Sequence, residues 1–517
     1  MYKIIVRNTS IVITDYNLGD CPKLEHRFMI YDMRTHQKYM FGAYYDEERR
    51  LFYVPKIDVR FIENSLGIFD STYYEKVCDP FEYIDGGIKL KYPPRNDDQK
   101  EALRFMTGAA EYKQYENAHQ LSVCLGTGKG KTYLAIATTT FYEMKSIIIT
   151  YSVNWLEQWS ERIQEYTDIT SKEIKMINGS AAINRLLQSK KTPKYKVYLV
   201  THATLKTYAN TNGWEAIGEL FKKIKVGIKI IDEAHLNFEN ISMIDFYTNT
   251  YKTYYLTATP ARSSEEENNI YATYFKNIPA ITLFDEEIDP HTRYIALKFN
   301  SHPTIFDIRE CKNQYGLDRN KYTEYLINTE VYTQLLRIIL DLALKNDGKC
   351  LIYIGTNHAI MYTYRWITFN YPELYNNVGI FTTLVEKNQR ELEKEKKIIL
   401  STTKSAGAAM DIQGLKMTVV LNEPFKSHVL AQQTLGRTRA DDTFYIDCID
   451  VGFNPIKRYY YYKRPIFDKY ALSCSDLPMR DDEIRYRNEV IMKARTNHEK
   501  TVPVIEWERK SFIVWDK

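Results

Sequence analysis

Apolar positions in this chain gather into short β-branched and aromatic runs, and what separates the runs changes at about residue 93. Up to residue 92 the runs are Ile4–Val6, Ile11–Thr14, Phe28–Tyr31, Tyr39–Tyr45 and Leu51–Val54. Turn-forming residues divide them, among them Asn17-Leu18-Gly19-Asp20 and Asp46-Glu47-Glu48, which predicts a small β-rich or α+β domain. Pro93 and Pro94 close it. Beyond them helical patterns alternate with compact apolar runs: Ser146–Thr150, Val197–Val200, Ile228–Ile231 and Tyr254–Leu256. Such runs suit strands buried on both faces of a parallel sheet. A second series, Leu351–Ile354, Ile398–Leu400, Thr418–Leu421 and Tyr445–Ile449, has the same texture. The polar stretch between the two series, residues 285–330, predicts no element.

Composition narrows the class. A chain of 517 residues exceeds one core and implies two to four domains. Hydrophobic residues make up 44% and charged residues 26%, the balance of a globular protein in water. No apolar run reaches the ~20 residues of a membrane-spanning helix, so no membrane association is expected. The opening MYKIIVRNTSIVI lacks the long apolar core and small-residue cleavage site of a secretion signal, and reads as a strand. Seven cysteines without a CxxC pair give no zinc-ribbon or iron–sulfur spacing, and imply a reducing, cytoplasmic setting. A net charge of +4 does not announce a nucleic-acid binder, although a local basic groove would suffice. The 43 tyrosines fit an AT-rich genome such as that of a phage.

Chemistry enters at Leu125–Thr132, LGTGKGKT, between an apolar segment and a helix-forming run. Gly126, Gly128 and Gly130 let backbone N–H groups close around phosphates, with Thr127 and Lys129 between them, and the following helix adds positive potential. Lys131 is placed to neutralise the β- and γ-phosphates of ATP, and Thr132 to hold Mg²⁺ through its hydroxyl. Leu125 stands where the strict pattern has glycine. A second motif, Asp232-Glu233-Ala234-His235, ends the run Ile228–Ile231. Asp232 suits the Mg²⁺ shell, and Glu233 can orient and deprotonate an attacking water.

With these two motifs, roughly residues 93–450 resemble the superfamily 2 helicases of the DEAH/DExH kind. Gln99 is similar to the upstream glutamine that reads adenine in that family. Ser152, Gln158 and Trp159 in TYSVNWLEQW resemble motif Ia, with Tyr151 in place of the usual proline, and Thr201 and Leu205 in VTHATL resemble motif Ib. Thr257-Ala258-Thr259-Pro260 is similar to motif III, KCLIYIGT at Lys349–Thr356 to motif IV, and Thr403 to Asp411 to motif V, with Ala409 where glycine is usual. Gln433-Thr434-Leu435-Gly436-Arg437-Thr438-Arg439 resembles motif VI, its second arginine one place early.

The resemblance implies an α/β fold with two tandem RecA-like P-loop domains behind the small N-terminal domain. In layout it is similar to phage UvsW-like repair helicases. Expected boundaries are 1–92 for the accessory domain, 93–284 and 285–460 for the RecA-like domains, and 461–517 for a C-terminal extension. Carried over residue by residue, Arg437 and Arg439 join Lys131 and Glu233 in catalysis, and Gln433 joins the nucleotide contacts. Ser152, Thr201 and Thr403 contact nucleic acid, while Thr257, Thr259 and Asp411 couple the sites. The function implied is ATP-dependent unwinding or translocation by a monomeric motor on single-stranded, forked or branched DNA. A duplex translocase without strand separation, an RNA helicase and a catalytically dead nucleic-acid scaffold are the alternatives. The segment Lys457–Arg464, KRYYYYKR, reads either as a packed closing helix or as a strand contact. A chain starting near Pro93 is expected to keep ATPase activity.

Overall fold

The computed structural model of the protein describes residues 2–32, 36–68, 73–75, 78–125, 129–190, 193–257, 265–283, 291–313, 316–405, 412–435 and 442–477. The chain divides into two compact units, Met1–Glu286 and Glu287–Lys517. Each is built on a seven-stranded parallel sheet.

In the first unit the strands lie side by side as Ile174–Ile177, Val197–Thr201, Ser146–Thr150, Ile228–Ile231, Lys252–Thr257, Gln120–Leu125 and Ala280–Leu283. The second unit has Val378–Phe381, Ile398–Ser401, Lys349–Tyr353, Leu415–Val420, Thr443–Asp450, Thr292–Phe299 and Ser473–Leu477. Counted along the chain within each unit, both sheets run third, fourth, second, fifth, sixth, first, seventh. One winding is used twice. This is a tandem RecA-like α/β architecture with a small β-rich region before it. Central strands such as Ser146–Thr150 are buried at every position, which is why they read as unbroken apolar runs.

Two differences from the sequence reading lie in the second unit. The unassigned stretch 285–330 contains the strand Thr292–Phe299, which sits between Thr443–Asp450 and Ser473–Leu477. Arg293 and Lys298 disguised it, but both find carboxylates at the sheet's rim, Asp442 at 2.9 Å and Asp476 at 3.2 Å. The expected boundary at 460 is also corrected. It falls inside the helix Asn454–Tyr470, and the strand after that helix completes the sheet, so the unit continues at least to Leu477.

The N-terminal region forms a five-stranded sheet in the order Tyr44–Asp46, Leu51–Val54, Ile11–Thr14, Lys3–Val6, Tyr73–Glu75. The predicted run Tyr39–Tyr45 is split. Gln37–Met40 pairs instead with Met29–Asp32. Between the two pieces Gly42 (φ 72°) passes so close to Ile270 and Phe238 that a Cβ would stand 3.0 Å from each.

This sheet shares its core with the first parallel sheet. Ile4, Ile13, Phe52 and Val54 belong to the same buried apolar cluster as Ile147, Tyr198, Ile217 and Phe246. Its first turn is pinned by polar contacts as well. The Thr9 hydroxyl lies 2.7 Å from the Asp245 carbonyl, Asn8 donates to the Thr250 carbonyl at 3.0 Å, and the Arg7 guanidinium donates to Phe246 O. Further on, the Asn249 N–H donates to the Asp79 carboxylate at 2.9 Å, and Glu82 pairs with both Lys145 and Lys225. The packing thus bears on a chain starting near Pro93, which would lose these contacts.

Candidate functional site

Three neighbouring strands bring the predicted chemistry to their carboxyl ends. Gln120–Leu125 leads into the phosphate loop and Ile228–Ile231 into Asp232-Glu233. Lys252–Thr257, which lies between them, ends at Thr257. In an open parallel sheet this edge is where ligands bind. Gly126, Thr127 and Gly128 lie outside the described residues. Lys129 and Gly130 lead into the helix Lys131–Tyr142, which Gly130 enters at a φ of 94°. That φ favours glycine, and a Cβ there would also displace the Gln99 amide. Gln99 in turn donates to the Lys129 carbonyl at 3.1 Å and accepts from the Arg95 N–H at 2.9 Å. The predicted adenine reader is thus anchored to the phosphate loop itself.

The acid pair is held by the ladder on both sides. Asp232 N–H donates to Ile149 O at 3.0 Å and Ala234 N–H to Leu256 O at 2.9 Å. Glu233, between them, has a φ of 49°. Its Oε1 stands 3.7 Å from Lys131 Nζ, which also donates to the Leu125 carbonyl at 3.3 Å. Its Oε2 is buried, 3.4 Å from His235 Nδ1. Asp232 accepts from the Glu233 N–H at 3.0 Å through Oδ1 and from the Trp159 indole at 2.9 Å through Oδ2. Burial, then the adjacent Glu233 carboxylate, raises the Asp232 pKa against the pull of Trp159 and Lys131. His235 Nδ1 meets the Thr257 hydroxyl at 2.9 Å, joining the acid loop to the end of the next strand. Two adjacent carboxylates, one of them facing a lysine, and a turn entered through Gly130 fit a nucleotide with its divalent cation.

Sequence reasoning missed the Trp159–Asp232 bond. Trp159 was read as part of motif Ia, and nothing in residues 73 positions apart signals that the sheet order will join them.

Other predicted residues are placed more loosely. Ser152 precedes the helix Val153–Tyr166 as its N-cap without a side-chain capping bond. Thr201 caps the helix His202–Asn212, its hydroxyl accepting from Thr204 N–H at 3.1 Å. Thr403 is buried, and its hydroxyl donates to Glu423 at 2.5 Å. In Lys457–Arg464 the two readings separate by face. Tyr460 and Lys463 pack inward, Lys463 against Asp447 at 2.6 Å, while Tyr461 and Tyr462 are exposed. Thr259, Ala409, Asp411, Arg437 and Arg439 lie outside the described residues, as does the side chain of Gln433. Among the described residues no helix is long and apolar enough to cross a membrane.

Residues 93–262 match the family described as type III restriction enzyme, res subunit. Curated protein sequences gave no match. Among solved structures, the crystal structure of T4 UvsW aligns with 92% of this chain and 99% of its own at 14% identity and a TM-score of 0.35. A structure of S. cerevisiae Dbp5 bound to RNA and ADP BeF3 covers 77% of this chain and 93% of its own at 16% identity and a TM-score of 0.48. The family match spans the phosphate loop and the acid pair, whose residues meet in the first parallel sheet. Over that stretch, residues 93–262, the chain is similar to this family.

Proposed function

We propose that this protein is an ATP-dependent DNA helicase or translocase, which hydrolyses ATP to unwind or remodel intermediates of replication, recombination or repair. The observation that supports the reading most is the meeting of Lys131 and Glu233 at 3.7 Å, with the Glu233 N–H donating to Asp232 at 3.0 Å. Lys131 would leave the Leu125 carbonyl for the β- and γ-phosphates, and Glu233 Oε2 would take the proton of the attacking water. Mg²⁺, when bound, supplies positive charge to the phosphate oxygens; the Thr132 hydroxyl and Asp232 carboxylate are the groups to hold it. Gln99 and Gln433 are assigned to the nucleotide, and Arg437, with Arg439 beside it in sequence, to the charge on the transferred phosphoryl. Ser152, Thr201 and Thr403 are assigned to the nucleic-acid strand, and Thr257, Thr259 and Asp411 to coupling.

The test is Mg²⁺-dependent ATP hydrolysis measured with single-stranded, forked and duplex DNA and with RNA in turn. Turnover should rise most with DNA, and Lys131→Ala should abolish it. Glu233→Gln should bind ATP yet turn over about 100-fold or more slowly, the scale of a lost general base. Strand displacement on the forked substrate separates unwinding from translocation. Stimulation by RNA alone would change the substrate; stimulation by no nucleic acid would remove the motor.

A further inference from the structure

Thr150 and Thr201 are paired positions of neighbouring parallel strands. The residues that follow them, Tyr151 and His202, therefore leave the sheet side by side. The Tyr151 ring lies 5.4 Å from the His202 ring at 52° and 5.9 Å from the Trp155 ring at 45°. Both supports are buried, at 4% and 9% exposure, whereas Tyr151 is 45% exposed. His202 is itself fixed, with Asn237 Nδ2 3.2 Å from Nε2 and Asn240 Nδ2 3.4 Å from Nδ1. Burial, then Lys206, lowers its pKa to about 4, so the support is uncharged at neutral pH. Tyr151 thus presents a ring that is backed by protein and open to solvent.

Next to this shell lies a depression of about 280 Å³ in which Glu239 and Glu267 oppose Lys206. A phosphate finds no excess of positive charge there. What this edge of the sheet offers a ligand is an aromatic face.

We infer that Tyr151 is a stacking platform for an unpaired nucleobase of the strand whose backbone lies at Ser152 and Thr201. The inference rests on the proposed reading of those two residues as nucleic-acid contacts. Every base has a π-face, so a fixed ring beside a backbone contact holds a strand without reading its sequence. Bases inside an intact duplex are already stacked on both sides. The platform therefore favours single-stranded over paired nucleic acid at this point.

The experiment uses the full chain and two fluorescent probes of equal length, oligothymidylate and a strand of abasic residues, at one salt concentration. The parent should bind oligothymidylate about tenfold more tightly than the abasic strand, the scale of one base–aromatic stack. Tyr151→Ala should lose that factor on oligothymidylate and bind the abasic strand as the parent does, while Tyr151→Phe keeps the parent's preference. An unchanged thermal midpoint in both variants assigns the loss to the ring rather than the fold. Equal affinity of the parent for both probes would overturn the inference, a result that needs no variant. So would parental binding of oligothymidylate by Tyr151→Ala. If the parent binds neither probe and no nucleic acid stimulates its ATPase, the nucleic-acid reading fails along with the platform.

Discussion

At a φ of 49°, Glu233 occupies a left-handed backbone region that costs a side-chain-bearing residue about 1–3 kcal/mol. The hydrogen bonds of Asp232 and Ala234 to the two flanking strands hold it there. The turn aims the carboxylate back toward Lys131 instead of along the strand. Asp232 is fixed differently, through the Trp159 indole and the Glu233 amide. Each donor favours the ionised carboxylate, the form that binds a divalent cation. Trp159→Phe keeps the packing and removes one donor. The Mg²⁺ concentration for half-maximal ATPase should then rise about tenfold, the scale set by ~1.5 kcal/mol for a hydrogen bond to a charged group. The KM for ATP should move much less. An unaltered Mg²⁺ titration would show that the Glu233 amide positions Asp232 by itself.

Because the two sheets share one winding, their loops can be compared strand for strand. The fifth strand of the first sheet runs into Asp232-Glu233, and the loop after the fifth strand of the second, Leu415–Val420, carries Glu423. There the carboxylate is used structurally. It accepts the Thr403 N–H at 2.7 Å and the Thr403 hydroxyl at 2.5 Å, tying the loop after the fourth strand to the loop after the fifth. Burial raises its pKa from 4.5 to about 7, despite those donors and the charges of Arg319 and Lys404. A carboxyl whose folded pKa lies above its unfolded one takes up a proton on folding between the two values. Its contribution is therefore most favourable below 4.5 and is lost as the pH rises through about 7. Glu423→Gln should flatten the change in thermal midpoint between about pH 4.5 and about pH 7, a span in which ~1.4 kcal/mol per pH unit is the ceiling. An equal pH dependence in the variant would place the titration elsewhere. The same comparison explains what the sequence disclosed. Ile228–Ile231 and Ser146–Thr150 were legible because burial on both faces leaves only apolar residues. The phosphate loop and acid pair were legible because phosphate and metal chemistry fixes residue types at short spacing. Thr292–Phe299 was not, since rim carboxylates allow it Arg293 and Lys298. Nor was the Trp159 partner, which depends on strand order rather than on any local pattern.

Across the first unit, the N-terminal sheet and the nucleotide-binding sheet share one interior, and this changes what truncation should do. Removing residues 1–92 would uncover the apolar surface now covered by Ile13, Phe52 and Val54. It would also strip partners from the backbone around Asp245 to Thr250, where Thr9, Asn8 and Asp79 make buried hydrogen bonds. A buried polar group left unpaired costs about 1–3 kcal/mol, so several such losses rival the ~5–15 kcal/mol that stabilises a typical domain. Asp245 deepens the dependence. It holds the fully buried Lys229 at 2.6 Å and accepts from Tyr255 and Tyr274, each at 2.6 Å. Lys229 lies on the strand that leads to Asp232, so disorder around Asp245 would reach the acid pair through three residues of chain. A chain beginning at Pro93 should therefore be aggregated or molten, seen as lost near-ultraviolet circular dichroism and early elution on size exclusion, and should lack ATPase. The double substitution Asn8→Ala and Thr9→Val, which keeps the apolar cover, should instead lower the thermal midpoint while leaving ATP hydrolysis measurable. A soluble, monomeric Pro93 chain with parental turnover would show that the shared interior is dispensable and the N-terminal sheet accessory after all.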